Sequence, residues 1–171
     1  MLVEAFRPGV MGRLGLGYEA VSAVNPRLIC ASSVPRYRPL ARPDALRPAH
    51  DLAIEALAGV VSRNLGPDGA PVNPPMPVAD MAGSMTALAV VLMVLLRRGQ
   101  TGRGNFVDIS MQDATMAWLP NVTGSVFAEG RPPRVTEERS FGGHAFYAIH
   151  ETADRRHVAL GGGSMNLSGR C

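Results

Sequence analysis

Residues 81–96, MAGSMTALAVVLMVLL, carry no charge, and Arg97 and Arg98 close the run. A helix that is apolar all round has to be covered by other elements of the fold. The run falls short of the roughly 20 residues a membrane span needs, and Gly83, Ser84 and Thr86 interrupt it. The expected place is therefore a helix buried between layers, not a membrane. Immediately upstream, Pro74-Pro75-Met76-Pro77-Val78-Ala79-Asp80 leads a proline-rich loop into a lone aspartate. At a helix start, Asp80 meets unbonded backbone N–H groups and the positive end of the helix dipole. Those groups favour an ionised carboxylate and can hold an oxyanion beside it. The plain alternative is that Asp80 only caps the helix.

The flanking pattern is that of an α/β chain. Residues 1–6 read as the end of a strand and residues 18–24 as a helix stopped by Asn25-Pro26. Residues 28–32 then read as a short buried strand. Helical spacing of Leu52, Ala56 and Leu57 marks a helix from about His50 to Val61, and Gly66-Pro67-Asp68-Gly69 a turn. After the long helix, residues 100–104 turn into a strand over 105–110, and residues 111–119 form a helix up to Pro120. Strand, helix, strand in this order predicts parallel strands joined by helices. Residues 130–143 read as a polar linker. Two strands flanking Ala153-Asp154-Arg155-Arg156 predict a hairpin that opens a smaller α+β domain. The expected organisation is a large domain over residues 1–129, a linker over 130–143 and the start of a small domain over 144–171.

Composition excludes several classes of function. The chain has 171 residues, 46% of them hydrophobic and 18% charged, which is enough for a real core. All seventeen basic residues are arginine, the net charge is +3, and no aromatic interleaving marks a nucleic-acid surface. An anionic small molecule suits this charge at least as well. Two cysteines, Cys30 and Cys171, form no metal or redox spacing, and no signal peptide opens the chain, so the expected location is cytoplasmic.

Three further constellations bear on chemistry. Gly15-Leu16-Gly17-Tyr18-Glu19-Ala20 has the form of a dinucleotide fingerprint, but residues 7–14 separate it from the preceding strand, so helix entry is the better reading. His144, His150 and His157 match no metal spacing, and no metal is expected. His50, like Asp80, stands where a helix follows a proline-rich loop. Histidine and carboxylate are a usual acid/base pair, and two such helix starts could face one pocket.

Taken together, several stretches resemble the family III CoA-transferases, the group that includes the α-methylacyl-CoA racemases. They are VEAFRPGVM from Val3, RLGLGYE from Arg13, NPRLI from Asn25, HDL from His50, ADMAG from Ala79, TGRG from Thr101, VDISM from Val107, Gly142-Gly143, and residues 147–160 around ETAD from Glu151. The resemblance runs to about Gly162. It implies a partial Rossmann-like large domain followed by the start of a small one, in a longer protein that forms an interlocked homodimer. Arg7 would contact the CoA nucleotide, Asp80 would be the catalytic aspartate and His50 its partner in the racemases. CoA or acyl-CoA would be substrate rather than a bound cofactor, with a carboxylic acid as the second substrate.

The implied chemistry is CoA transfer through an anhydride and an aspartyl-CoA thioester on Asp80. The N–H groups of Met81 and Ala82 would stabilise the oxyanion. Racemisation through His50 and Asp80 is the first alternative, and an inactive fragment of the family the second; a dinucleotide-binding module is more distant. Ser164 replaces a glutamate of the racemases, Val34-Pro35-Arg36-Tyr37-Arg38-Pro39 replaces a glycine-rich segment, Ala49 replaces a glycine, and residues 166–171 leave the family pattern.

Overall fold

The computed structural model describes residues 1–34, 49–131, 134–138 and 143–162. The differences noted at residues 35–39, at Ser164 and at residues 166–171 lie outside the described residues, as does Cys171. The chain divides into two compact units, Met1–Leu119 and Pro120–Cys171.

The first unit is built on three short parallel strands in spatial order β1-β2-β3: β1 (Leu2–Glu4), β2 (Cys30–Val34) and β3 (Phe106–Ser110). Parallel neighbours need crossover connections. Helices α1 (Val10–Arg13) and α2 (Tyr18–Val24) join β1 to β2, while α3 (Asp51–Ala58) and α4 (Val78–Thr101) lie between β2 and β3. Helix α5 (Met111–Ala117) follows β3 without a loop, its start capped by the Ser110 hydroxyl, which accepts from the Asp113 N–H at 3.1 Å. The β2 strand begins two residues later than the sequence pattern predicts. Its pairing explains this: Cys30 aligns with Phe106 and Val34 with Ser110, so the partner sets the ends.

The pleat sorts the sheet into two faces. Ala31, Val107 and Ile109 on one face, with Ile29, form the buried core, and α4 packs on it through Ala87, Val90, Val91, Val94 and Leu95. That is the i, i+3, i+4, i+7, i+8 stripe of a helix laid on a sheet. The other side of α4 differs from the expectation of burial on all sides: Met81, Met85, Leu88, Leu92 and Leu96 are exposed. At 24 residues α4 is also long and apolar enough to cross a membrane by length and composition. One face of it, the stripe at 87, 90, 91, 94 and 95, lies on the parallel sheet. Ile29 lies at the centre of this core with no exposed surface. Ile29→Val should cost about 0.5–1.5 kcal/mol, read as a lower urea midpoint at unchanged slope.

The second unit contains α6 (Pro120–Glu129), which the sequence reading did not foresee, and a hairpin of β4 (Tyr147–Glu151) and β5 (His157–Gly161). Proline is tolerated at a first helical position because that N–H has no helical partner. Pro120 therefore ends α5 and starts a new helix. In the hairpin loop, the Thr152 N–H donates to the Arg156 carbonyl at 2.8 Å, and Arg155 takes the left-handed conformation with φ of 61°. His150 and His157 are exposed and His144 is half-buried. The His150 Nε2 lies 2.8 Å from the Ala145 carbonyl oxygen.

Candidate active site

Pro77 is the N-cap of α4, so the helix begins at Val78 and Asp80 is its third residue, not its cap. Proline has no N–H. The open donors of the helix are therefore those of Val78, Ala79 and Asp80. All three face acidic side chains of α3, and two are bonded to them. The Val78 N–H donates to Glu55 Oε1 at 2.6 Å, and the Asp80 N–H to Asp51 Oδ1 at 2.9 Å. The Ala79 N–H lies close enough to the Glu55 carboxylate to favour its charged form. Asp51 and Glu55 are four residues apart on α3 and share a face.

This corrects the expected oxyanion donors. The Met81 N–H donates to the Pro77 carbonyl at 3.0 Å. That bond opens the helical ladder, and Ala82, which is buried, lies one place further inside it. Starting the helix at Val78 rather than Asp80 buries Ala79 completely and gives the acids of α3 their donors. The open end of α4 is thus filled by protein carboxylates. Burial of Glu55 raises its carboxyl above the usual value of 4.5. Hydrogen bonding from Val78 opposes this, and the neighbouring charge of Asp51 adds to it.

The same contacts place two of the expected residues together. His50 is the N-cap of α3, and its carbonyl accepts from the Ala53 and Ile54 N–H groups. Asp51, the next residue, holds the backbone of Asp80. The two helix starts are therefore adjacent, and both His50 and Asp80 are exposed. They stand beyond the carboxyl end of the sheet. A Cβ added to Gly83, one turn from Asp80, would lie 2.9 Å from Cγ of Met111, the residue that follows β3. Open α/β sheets bind ligands at that edge.

Arg7 is placed elsewhere. It follows β1 and lines a cavity of about 410 Å³ with Glu4, Gly17, Tyr18, Cys30 and Phe106 among its neighbours. Glu4, Cys30 and Phe106 belong to the face of the sheet opposite α4. Neither Asp80 nor His50 lines the cavity. The sequence reading of G-x-G-x-x-A as helix entry gains a second aspect here, because Gly17 and Tyr18 form part of its wall. Among the described residues, no cluster of three or more His, Cys, Asp or Glu side chains could hold a metal ion.

Sequence reasoning missed Asp51 and Glu55 as the groups that organise this edge. The signal was available: two acids spaced i, i+4 in the otherwise uncharged helix DLAIEALA.

The family model for CoA-transferase family III matches residues 1–168. The chain belongs to CoA-transferase family III. Acetyl-CoA:oxalate CoA-transferase of Acetobacter aceti is 37% identical over 136 residues, covering 78% of this chain and 34% of that enzyme. α-Methylacyl-CoA racemase of Homo sapiens is 35% identical over 168 residues, covering 94% and 42%. The crystal structure of a CaiB/BaiF family protein from Brucella suis matches with a TM-score of 0.76 at 26% identity, covering 90% of this chain and 40% of that one. This family III chain therefore spans well under half the length of these relatives, which include both transferases and racemases.

Proposed function

We propose that the protein, at the length of its relatives, transfers CoA between carboxylic acids through Asp80. The observation that carries this reading is an exposed carboxylate in the first turn of α4, with its backbone held by Asp51 beside the start of α3. The Asp80 carboxylate attacks the thioester carbonyl, the C–S bond breaks, and CoA thiolate leaves as a mixed anhydride forms. The thiolate then attacks the Asp80 carbonyl, giving an aspartyl-CoA thioester and releasing the first acid. A second carboxylate takes over the acyl position by the same two steps in reverse. In this reading the oxyanion donors come from the start of α3, where Asp51 and Leu52 precede the first helical hydrogen bonds to His50. CoA esters are substrates, no cofactor is held permanently, and the working form is a cytoplasmic homodimer. Arg7 is assigned to the CoA nucleotide, with the cavity it lines as the place for part of that group.

A second reading, α-methylacyl-CoA racemisation, is favoured by His50 standing next to Asp51. One of His50 and Asp80 would remove the α-proton and the other return it from the opposite face.

The experiment incubates the protein, extended to the length of its relatives, with a 2-methylacyl-CoA and free carboxylic acids in deuterated water. Mass spectrometry then reads the CoA esters. New acyl-CoA masses mean transfer. One deuterium gained on the starting ester means racemisation, and His50→Ala should then reduce that exchange by about 10²-fold or more while leaving transfer intact. If CoA binds and neither product forms, both readings fail.

A further inference from the structure

Glu55 is only 1% exposed, and the chemistry at Asp80 does not call for its carboxyl. Its Oε1 accepts from Val78, while its Oε2 is buried without a hydrogen-bond partner. Burying a carboxylate oxygen with no donor is costly, and a second acid one helical turn away makes it more so. That acid is Asp51, already engaged with the Asp80 N–H through Oδ1. One proton resolves both conflicts. Carried on Glu55 Oε2, it turns that oxygen into an O–H donor, with the carboxylate of Asp51 as its acceptor.

We propose that Glu55 is a positioning residue: protonated on Oε2 and bonded to Asp51, it clamps the first turn of α4 and so sets where Asp80 stands. The clamp has two jaws, Glu55 on Val78 and Ala79 and Asp51 on Asp80, tied together by the shared proton. With the proton removed, two adjacent carboxylates would compete for the same helix end and repel each other. The charged residues on elements packed against α3 are Asp80 on α4, Asp113 on α5, and Arg63 on the short turn Val61–Arg63 that follows α3. Arg97 and Arg98 lie roughly 25 Å further along α4. The groups acting on Glu55 are Asp51 and the N–H groups of Val78 and Ala79.

The pH dependence has a definite sign. The carboxyl of Glu55 titrates above 4.5 in the folded chain. Between 4.5 and that raised value the folded state holds the extra proton, so stability falls as pH rises through the window. Glutamine copies the protonated acid: its carbonyl accepts from Val78 and its amide donates to Asp51, without titrating.

The test compares the wild-type chain, Glu55→Gln and Glu55→Ala by thermal melts from pH 4 to 8 and by amide exchange at Val78, Ala79 and Asp80. Glu55→Gln should match wild type at pH 4 and exceed its Tm at pH 8 by about 2–4 °C, with slow exchange at all three amides. Glu55→Ala should speed that exchange by about tenfold or more. Parallel Tm profiles for wild type and Glu55→Gln, or exchange in Glu55→Gln as fast as in Glu55→Ala, would overturn the proposal.

The link to Asp80 rests on the transferase reading and is measured separately. Glu55→Ala should lower kcat by about tenfold at unchanged KM for the CoA ester, and Glu55→Gln should keep it. Equal kcat in wild type and Glu55→Ala would remove the positioning role. If wild type shows no transfer at all, the transferase reading fails while melts and exchange still decide the clamp.

Discussion

Gly104→Ala should abolish cooperative folding of the first unit. The reason is a contact between backbones. Gly104 lies between α4 and β3, and a Cβ there would sit 1.8 Å from the Leu28 carbonyl oxygen and 2.8 Å from the Arg27 carbonyl carbon. Neither atom belongs to a flexible side chain, so the two loops would have to part. They are bonded together on both sides of the contact. The Gly104 N–H donates to the Pro26 carbonyl at 2.8 Å, and the Cys30 N–H to the Asn105 carbonyl at 3.0 Å, where the β2–β3 ladder begins. Separating them opens that ladder at its first rung and pulls Ile29 from the core. A cost of about 4 kcal/mol or more is expected, a large part of the stability of an ordinary domain. Gly99→Ala is the control. It lies inside α4 and its added Cβ meets nothing within 4 Å, so it should stabilise by up to about 1 kcal/mol. Urea titration followed by circular dichroism compares the two. A Gly104→Ala midpoint within about 0.5 M of wild type would show that the loops yield more easily than their contact implies.

Asp80→Asn should reduce CoA transfer by about 10³-fold or more while leaving the fold intact. The two consequences separate because the two halves of the residue do different things. Its backbone N–H is held by Asp51 and fastens α4 to α3; its side chain is exposed. Asparagine keeps the first half and removes the nucleophilic carboxylate. Losing a negative charge from the first turn of a helix costs only about 0.3–1 kcal/mol. The pairing of a large rate loss with a small change in Tm is therefore the signature to look for, with transfer measured on the protein extended to the length of its relatives. Transfer within about tenfold of wild type would remove Asp80 from the chemistry. A collapse of Tm together with the rate would make the residue a structural one.

Much of this edge of the molecule is legible from residue order alone, and the limits of that legibility have physical causes. The uncharged run from Met81 makes a helix, and its stripe at 87, 90, 91, 94 and 95 lies on the sheet as 3.6-residue periodicity requires. The start of that helix was misread by two residues. Its position depends on which acceptors wait for the first N–H groups, and those acceptors, Asp51 and Glu55, sit more than twenty residues upstream. The same misreading put the free donors at Met81 and Ala82, inside the helix. For β2, apolar residues announce a strand, but its ends follow the register with Phe106 and Ser110. Helix α6 is not announced by its own residues, because Pro120 reads as a stop, yet a proline at a first helical position stops one helix and begins another.

By itself, the sequence determined what local rules and motifs can determine: the order of strands and helices, an aspartate at the head of a long apolar helix, a histidine at the head of another, and the family to which both belong. Those features depend on neighbours along the chain or on motif matches that need no coordinates. Only the tertiary structure decided that the two helix heads meet, that the donors of α4 are already occupied by acids of α3, and that Arg7 lines a cavity on the opposite face of the sheet. Each of these depends on pairs of residues distant in sequence and close in space. A hydrogen bond from Asp80 to Asp51, or a collision between Gly104 and Leu28, exists only once the crossovers have brought the segments together.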